Sequence, residues 1–132
     1  KYPDQIGVKI MFNQQYAHLI EAGSDMFLML SLYEPCGLNQ MYSLKYGTIP
    51  IVRKTGGLAD TIVDYDESDD SVGFVFEKYS GKAMLEKIKY ACEIYKNKDQ
   101  WNNLMTRAMK RDFSWSNTII NYVNLYKKFR VI

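Results

Sequence analysis

Residues 33–40, Tyr33-Glu34-Pro35-Cys36-Gly37-Leu38-Asn39-Gln40, carry the richest chemistry in this sequence of 132 residues. An apolar run, Met26-Phe27-Leu28-Met29-Leu30, precedes them and a helical pattern follows, so Pro35 and Gly37 turn a strand directly into a helix start. The first amides of such a helix have no backbone partner. The N–H groups of Gly37, Leu38 and Asn39, at the positive end of the helix dipole, therefore form a site for a phosphate or diphosphate. Gly37 lets the anion approach closely, and the Glu34 carboxylate beside it would repel phosphate but accept hydrogen bonds from sugar hydroxyls. The pairing points to a phosphorylated sugar. Two plainer alternatives stand beside it: helix-start glycines occur throughout α/β proteins, and Glu34 is also placed to cap the next helix. Thr55-Gly56-Gly57, before another helical pattern, repeats the same physics one strand later; its alternative is that Gly57 only permits close helix–strand packing.

Glycine and proline cut the chain into alternating apolar runs and helical patterns, which predicts an α/β fold. In Ile6-Gly7-Val8-Lys9-Ile10-Met11-Phe12 the even positions are all apolar, as a strand requires, and Asn13 caps a helix that Gly23 stops. The continuous run 26–30 predicts a strand covered on both faces, Ile49-Pro50-Ile51-Val52 the next buried strand, and Gly73-Phe74-Val75-Phe76 a last short one. A short helix is expected from Leu58 to Val63. Right-handed crossovers then give a Rossmann-like parallel sheet of about four strands flanked by helices, with ligand loops gathered at the strands' carboxyl ends. The C-terminal third reads as helical. Met84, Leu85, Ile88, Ala91, Cys92 and Tyr95 form one stripe, Trp101, Leu104, Met105, Ala108 and Met109 a second, and Ser114 caps a final helix running to about Phe129.

Three stretches carry a resemblance: Glu34-Pro35-Cys36-Gly37-Leu38-x-Gln40, Lys45-Tyr46-Gly47-Thr48-x-Pro50-Ile51-Val52 and Thr55-Gly56-Gly57-Leu58-x-Asp60-Thr61. They resemble bacterial glycogen and plant starch synthases, and the similarity continues through Gly73-Phe74-x-Phe76 and Asp112-Phe113-Ser114-Trp115. The resemblance implies a retaining glucosyltransferase of the two-Rossmann-domain GT-B type, which transfers glucose from ADP-glucose to the non-reducing end of an α-1,4-glucan. On this basis residues 1–132 are expected to be the C-terminal, nucleotide-sugar-binding domain, truncated at its N-terminal side. Carried over by motif, Glu34 holds a glucose hydroxyl, the amides around Cys36 and Gly37 contact the glucose, and those of Leu38 and Asn39 contact the distal phosphate. Phe12 matches the aromatic near the adenine, and Thr55, Gly56 and Gly57 complete the donor loops. Glu34 acts as a positioning and electrostatic group rather than a displacement nucleophile. Asn39 replaces a usual Thr and Phe12 a usual Tyr. The resemblance places the diphosphate-neutralising Arg and Lys, and the glucan-binding domain, upstream of this chain, so the chain alone is expected to be inactive. A non-catalytic nucleotide- or glucan-binding module of the same fold, and a UDP-sugar-dependent relative, are the competing readings.

Other residues read as structure. His18 stands alone in its helix, with a structural or surface role. Cys92 is expected to pack as a small buried hydrophobe. The acidic residues Asp64, Asp66, Glu67, Asp69 and Asp70 lack the pattern of a calcium loop and predict a solvated loop, so no metal is expected. Tyr90, Tyr95, Tyr122 and Tyr126 recur at helical spacing and predict packing rather than a sugar platform. The last helix carries Trp115, Ile119, Tyr122, Val123, Tyr126 and Phe129 on one face, more apolar surface than the chain covers. Together with an open sheet edge it suggests a homodimer of the chain.

Charge excludes further classes. With 17 Lys+Arg against 15 Asp+Glu the net charge is +2, mixed along the chain, which argues against nucleic acid or anionic membrane as partner. Cys36 and Cys92 suggest neither a disulfide framework nor a zinc site and fit a reducing, cytoplasmic setting, or a plastid in a plant. The longest apolar run is far below the roughly 20 residues of a membrane span. No cofactor is expected beyond the substrate ADP-glucose.

Overall fold

The computed structural model describes residues 2–129; Lys1 and residues 130–132 of the expected domain lie outside the described residues. Element order is α1 (Gln14–Ala22), β1 (Met26–Met29), α2 (Asn39–Tyr46), β2 (Ile49–Arg53), α3 (Gly56–Thr61), β3 (Phe74–Phe76), α4 (Gly81–Lys96), α5 (Lys98–Lys110) and α6 (Trp115–Phe129). The alternation of short strands with helices fixes a parallel sheet, since a helix between strands returns the chain to the same end. The order is β1-β2-β3, and both pairs are parallel, with Met26 opposite Ile49 and Ile51 opposite Phe74.

The sheet has three strands, not the expected four. Residues 6–12 alternate as a strand should, yet they form no ladder among the described residues. Ile6, Val8, Ile10 and Phe12 are all exposed, Phe12 completely. Alternation says which side chains share a face; it does not supply a neighbouring strand, and backbone pairing defines the element. β1 departs in the same direction. It was expected to be covered on both faces, but its residues are at best half-buried, with Leu28 and the following Leu30 exposed.

Burial centres on β2. Ile49, Ile51 and Val52 are buried there, with Phe74 and Val75 of β3 on one side, and α2, α3, α4 and α5 all touch this strand. Leu44, Leu58, Ala91, Trp101, Leu104 and Ala108 supply the helical half of the core. Phe74 stacks near Trp101, with ring centroids 6.3 Å apart, and Tyr95 meets Trp101 edge-on at 5.0 Å, so the packing expected of Tyr95 holds. Tyr122 and Tyr126 are exposed instead, as is the apolar face of α6, none of whose residues is buried.

On α4 the inward stripe runs through buried Ala91 and half-buried Met84, Ile88 and Tyr95, whereas Leu85 and Cys92 are exposed. The expected burial of Cys92 is therefore incorrect. Positions 85 and 92 lie about 100° round the helix from 84 and 91, and neither α5 nor the sheet reaches that side. The caps behave as read for α1, where the Asn13 side chain accepts the Tyr16 N–H, and Gly47 ends α2 with φ +80°. Ser114 opens α6 with its carbonyl accepting the Thr118 N–H, while its own N–H donates to Asp112 Oδ1.

The acidic segment is only partly solvated. Asp64 Oδ1 accepts the N–H groups of Tyr65 and Val75, and Oδ2 meets Lys87 Nζ at 2.8 Å with both side chains largely buried. Asp66 accepts the Tyr90 hydroxyl at 2.6 Å, which pushes the Tyr90 pKa up to about 12. Glu67, Asp69 and Asp70 are exposed, as expected.

Truncating Leu104, which is fully buried, removes contacts the core cannot recover, so Leu104→Ala should cost about 3 kcal/mol in urea unfolding. Cys92→Ser should stay within about 0.5 kcal/mol of the parent chain. A comparable loss for both would contradict the α4 packing described.

Candidate functional site

The loop joining β1 to α2 lies where a parallel sheet presents ligands, at the carboxyl end of its strands. It is held from three directions. Arg53, the last residue of β2, donates through Nε to the Ser31 carbonyl at 2.9 Å and through a terminal nitrogen to the Leu32 carbonyl, while its guanidinium stacks over Tyr79 at 5.5 Å. The Gly57 N–H donates to the Glu34 carbonyl at 3.0 Å. Gln40, fully buried, reaches back from α2 to the carbonyls of Cys36 and Gly37, each at 3.0 Å.

The local sequence explains the shape. Gly37 sits at φ +73°, a conformation that glycine adopts without the Cβ penalty, and this bend delivers the chain into α2. Leu38 precedes the helix without a side-chain cap. Among the described residues no acceptor takes the N–H of Gly37, Leu38 or Asn39. The expected row of free amides is in place.

Glu34 is half-buried, and its Oε2 accepts the Ser31 hydroxyl at 3.1 Å, which fixes the carboxylate beside the loop. Glu34 does not cap α2, whose start has no side-chain cap. Cys36 is exposed, and its thiol points to the Gly37 carbonyl at 3.4 Å.

Thr55, Gly56 and Gly57 lie against the loop that follows β1. The Gly57 amide is already committed to Glu34, and α3 has only six residues. A Cβ on Gly56 would stand 2.0 Å from the Glu34 carbonyl oxygen, and one on Gly57 2.2 Å from that of Cys36. These glycines let two backbones touch, and the contact is with the loop at Glu34 to Cys36 rather than the helix–strand packing offered as the plainer alternative.

Phe12, at the end of the unpaired segment, forms one wall of a cleft of about 440 Å³ with Asn13, His18, Glu21, Leu38, Asn39 and Tyr42 among its lining. This volume falls within the roughly 300–1,000 Å³ of small-molecule sites. The structure thus brings Phe12 to Leu38 and Asn39, and leaves Glu34 and Cys36 outside that lining on the neighbouring turn. Among the described residues no group of His, Cys, Asp and Glu is arranged to hold a metal.

Sequence reasoning missed Glu21. It is buried to 1% exposure at the floor of the cleft, its Oε2 accepts no hydrogen bond among the described residues, and the His18 ring lies beside it, with Nδ1 3.6 Å away. His18 itself packs against Tyr42 and lies 3.3 Å from the Tyr46 hydroxyl, the structural setting expected for it. Burial pushes the Glu21 carboxyl above its ordinary value, and His18 opposes the shift. The available signal was spacing: Ala17 and Glu21 stand four apart on the inward side of α1.

Comparison with known proteins assigns a family to this parallel α/β sheet with its free helix-start amides beside a cleft. The profile of the family described as Glycosyl transferases group 1 matches residues 5–107. The chain belongs to this family. It is 50% identical over 133 aligned residues to a glycogen synthase from Koribacter versatilis, spanning 100% of this chain and 28% of that protein. A glycogen synthase from Thermotoga petrophila is 49% identical over 97% of this chain and 27% of its own length. Among solved structures, the catalytic domain of Arabidopsis thaliana starch synthase IV bound to ADP and acarbose superposes with a TM-score of 0.82, at 35% identity over 90% of this chain and 25% of that one. Sucrose-phosphate synthase from Thermosynechococcus elongatus shares the fold, with a TM-score of 0.69 at 19% identity over 96% of this chain and 30% of its own. The chain therefore spans under a third of the relatives it matches.

The raised Glu21 pKa sets a pH dependence. The unfolded chain ionises Glu21 near 4.5 while the folded chain still holds the proton, so folding is opposed increasingly as pH rises from that value through the folded pKa. Glu21→Gln should therefore be more stable than the parent at pH 7, with the difference shrinking as the pH falls through the folded pKa toward 4.5. Urea unfolding across this range measures it; a difference that does not change with pH would contradict the assignment.

Proposed function

We propose that this chain is the donor-binding part of an ADP-glucose-dependent glycogen or starch synthase, which transfers glucose with retention to the non-reducing end of an α-1,4-glucan in the cytoplasm. One observation carries the reading: the N–H groups of Gly37, Leu38 and Asn39 stand free beside the Glu34 carboxylate, with Phe12 at the mouth of the adjoining cleft. The likeness to proteins named glycogen synthase, and to a starch synthase solved with ADP, supports it.

In this reading each group has a distinct task. Phe12 lies against the base, as an exposed aromatic face suits a flat heterocycle. The Leu38 and Asn39 amides accept the charge of the distal phosphate, which grows as the sugar C1–O bond breaks and ADP leaves with the electron pair. The Cys36 and Gly37 amides and Glu34 orient the glucose through its hydroxyls. The acceptor hydroxyl forms the new C1–O bond on the same face and gives its proton to the departing diphosphate. Glu34, fixed by Ser31, forms no bond to C1. The acceptor glucan is assigned to a separate, N-terminal domain, which makes this chain a binding unit that does not turn over by itself.

Calorimetry with ADP, ADP-glucose and UDP tests the assignment. The chain should bind ADP and ADP-glucose in preference to UDP. Glu34→Ala should weaken ADP-glucose about 10-fold, the loss expected for hydrogen bonds to a charged group, and leave ADP unchanged. Equal weakening of both ligands, or of neither, would contradict the role of Glu34, and no preference for ADP would contradict the donor.

A further inference from the structure

The free amides of the donor loop flank Gly37, the residue with the least intrinsic restraint on its backbone. Its two peptide groups can rotate with little steric opposition, so their direction must be imposed from elsewhere. The Gln40 side chain is the group in position to impose it. It is fully buried, and its Nε2 lies 3.0 Å from the Cys36 carbonyl oxygen, 3.0 Å from that of Gly37 and 3.2 Å from Thr61 Oγ1. Thr61 in turn donates its hydroxyl to the Gly57 carbonyl at 2.6 Å. The amide orientation follows from these partners: reversing it would set the Gln40 oxygen against two carbonyl oxygens.

Peptide planarity converts this grip into an aim. In a trans peptide the C=O of one residue and the N–H of the next point in opposite directions within one plane. Holding the Cys36 carbonyl inward turns the Gly37 N–H outward, and holding the Gly37 carbonyl inward turns the Leu38 N–H outward. These two amides belong to the row that makes no hydrogen bond among the described residues. Space is shaped to match, since a Cβ on Gly37 would stand 2.5 Å from Gln40 Oε1.

We propose that Gln40 is the positioning residue of the donor loop: by fixing the Cys36 and Gly37 carbonyls it directs the Gly37 amide at the glucose and the Leu38 amide at the sugar-linked, distal phosphate of a nucleoside diphosphate sugar. The proposal rests on the donor-binding reading and adds to it the side chain that pre-organises the phosphate site. Gln40 touches no ligand in this scheme. Its effect is confined to the part of the ligand the loop grips, which separates it from a residue that merely supports the fold.

The test compares ADP with AMP, which lacks the distal phosphate, by calorimetry on the full chain. Gln40→Met keeps the volume without donors, and Gln40→Glu keeps the shape but replaces the donor nitrogen. The parent chain should bind ADP more tightly than AMP. Both variants should lose about 10-fold in ADP affinity while AMP affinity is held, so that the ADP to AMP ratio falls toward one. A parent chain that does not distinguish ADP from AMP would overturn the donor-loop reading itself. A preference retained in both variants would leave that reading standing and overturn the role of Gln40. Equal loss of ADP and AMP, or failure of both variants to fold, would also overturn it, by assigning Gln40 to the fold.

Discussion

The site hangs on a backbone contact between two loops. Gly57 donates to the Glu34 carbonyl at 3.0 Å, and the missing Cβ atoms of Gly56 and Gly57 leave the room that the carbonyls of Glu34 and Cys36 occupy. No larger residue fits there without moving backbone. The loop after β1 therefore stands on the start of α3, which is tied to the core through buried Leu58 and Ile62. Arg53 fixes the same loop at Ser31 and Leu32, and Gln40 fixes it at Cys36 and Gly37. β2 is the common foundation, since Arg53 ends it and α3 follows directly from it.

This clasp separates rigid from free groups in a useful way. Carbonyl groups of the loop are turned inward and paired, which leaves N–H groups outward and unpaired. An anion arriving there meets oriented dipoles, and little reorganisation is needed to bind it. The cleft beside it is built differently, with an exposed Phe12 at its mouth and a buried, unsatisfied Glu21 at its floor. One wall is supplied by a segment with no strand partner, the other by the packed N-terminal turn of α2.

Much of this was legible in the sequence. The Glu34 to Gln40 loop, the three strands that pair and the caps at Asn13 and Gly47 follow from apolar runs and turn residues, which act locally. What escaped depends on neighbours. Residues 6–12 have a strand's alternation but no ladder, because pairing is set by a second segment. Cys92 was placed inside although a shift of one helix position faces it outward. Thr55-Gly56-Gly57 and the Glu34 loop look alike as sequences, and only their contact shows that one supports the other. Asp64 sat within an acidic run that reads as solvent-facing, yet Lys87 and the Val75 N–H draw it in from elements far along the chain.

The account's central claim is that the outward-turned amides of Leu38 and Asn39 receive the distal phosphate. Nuclear magnetic resonance of the backbone amides during titration with ADP tests it directly. The account predicts that the Leu38 and Asn39 resonances shift most, while that of Gly57, engaged with Glu34, shifts little. Large shifts confined to residues 55–57, with the Leu38 and Asn39 amides unmoved, would contradict it.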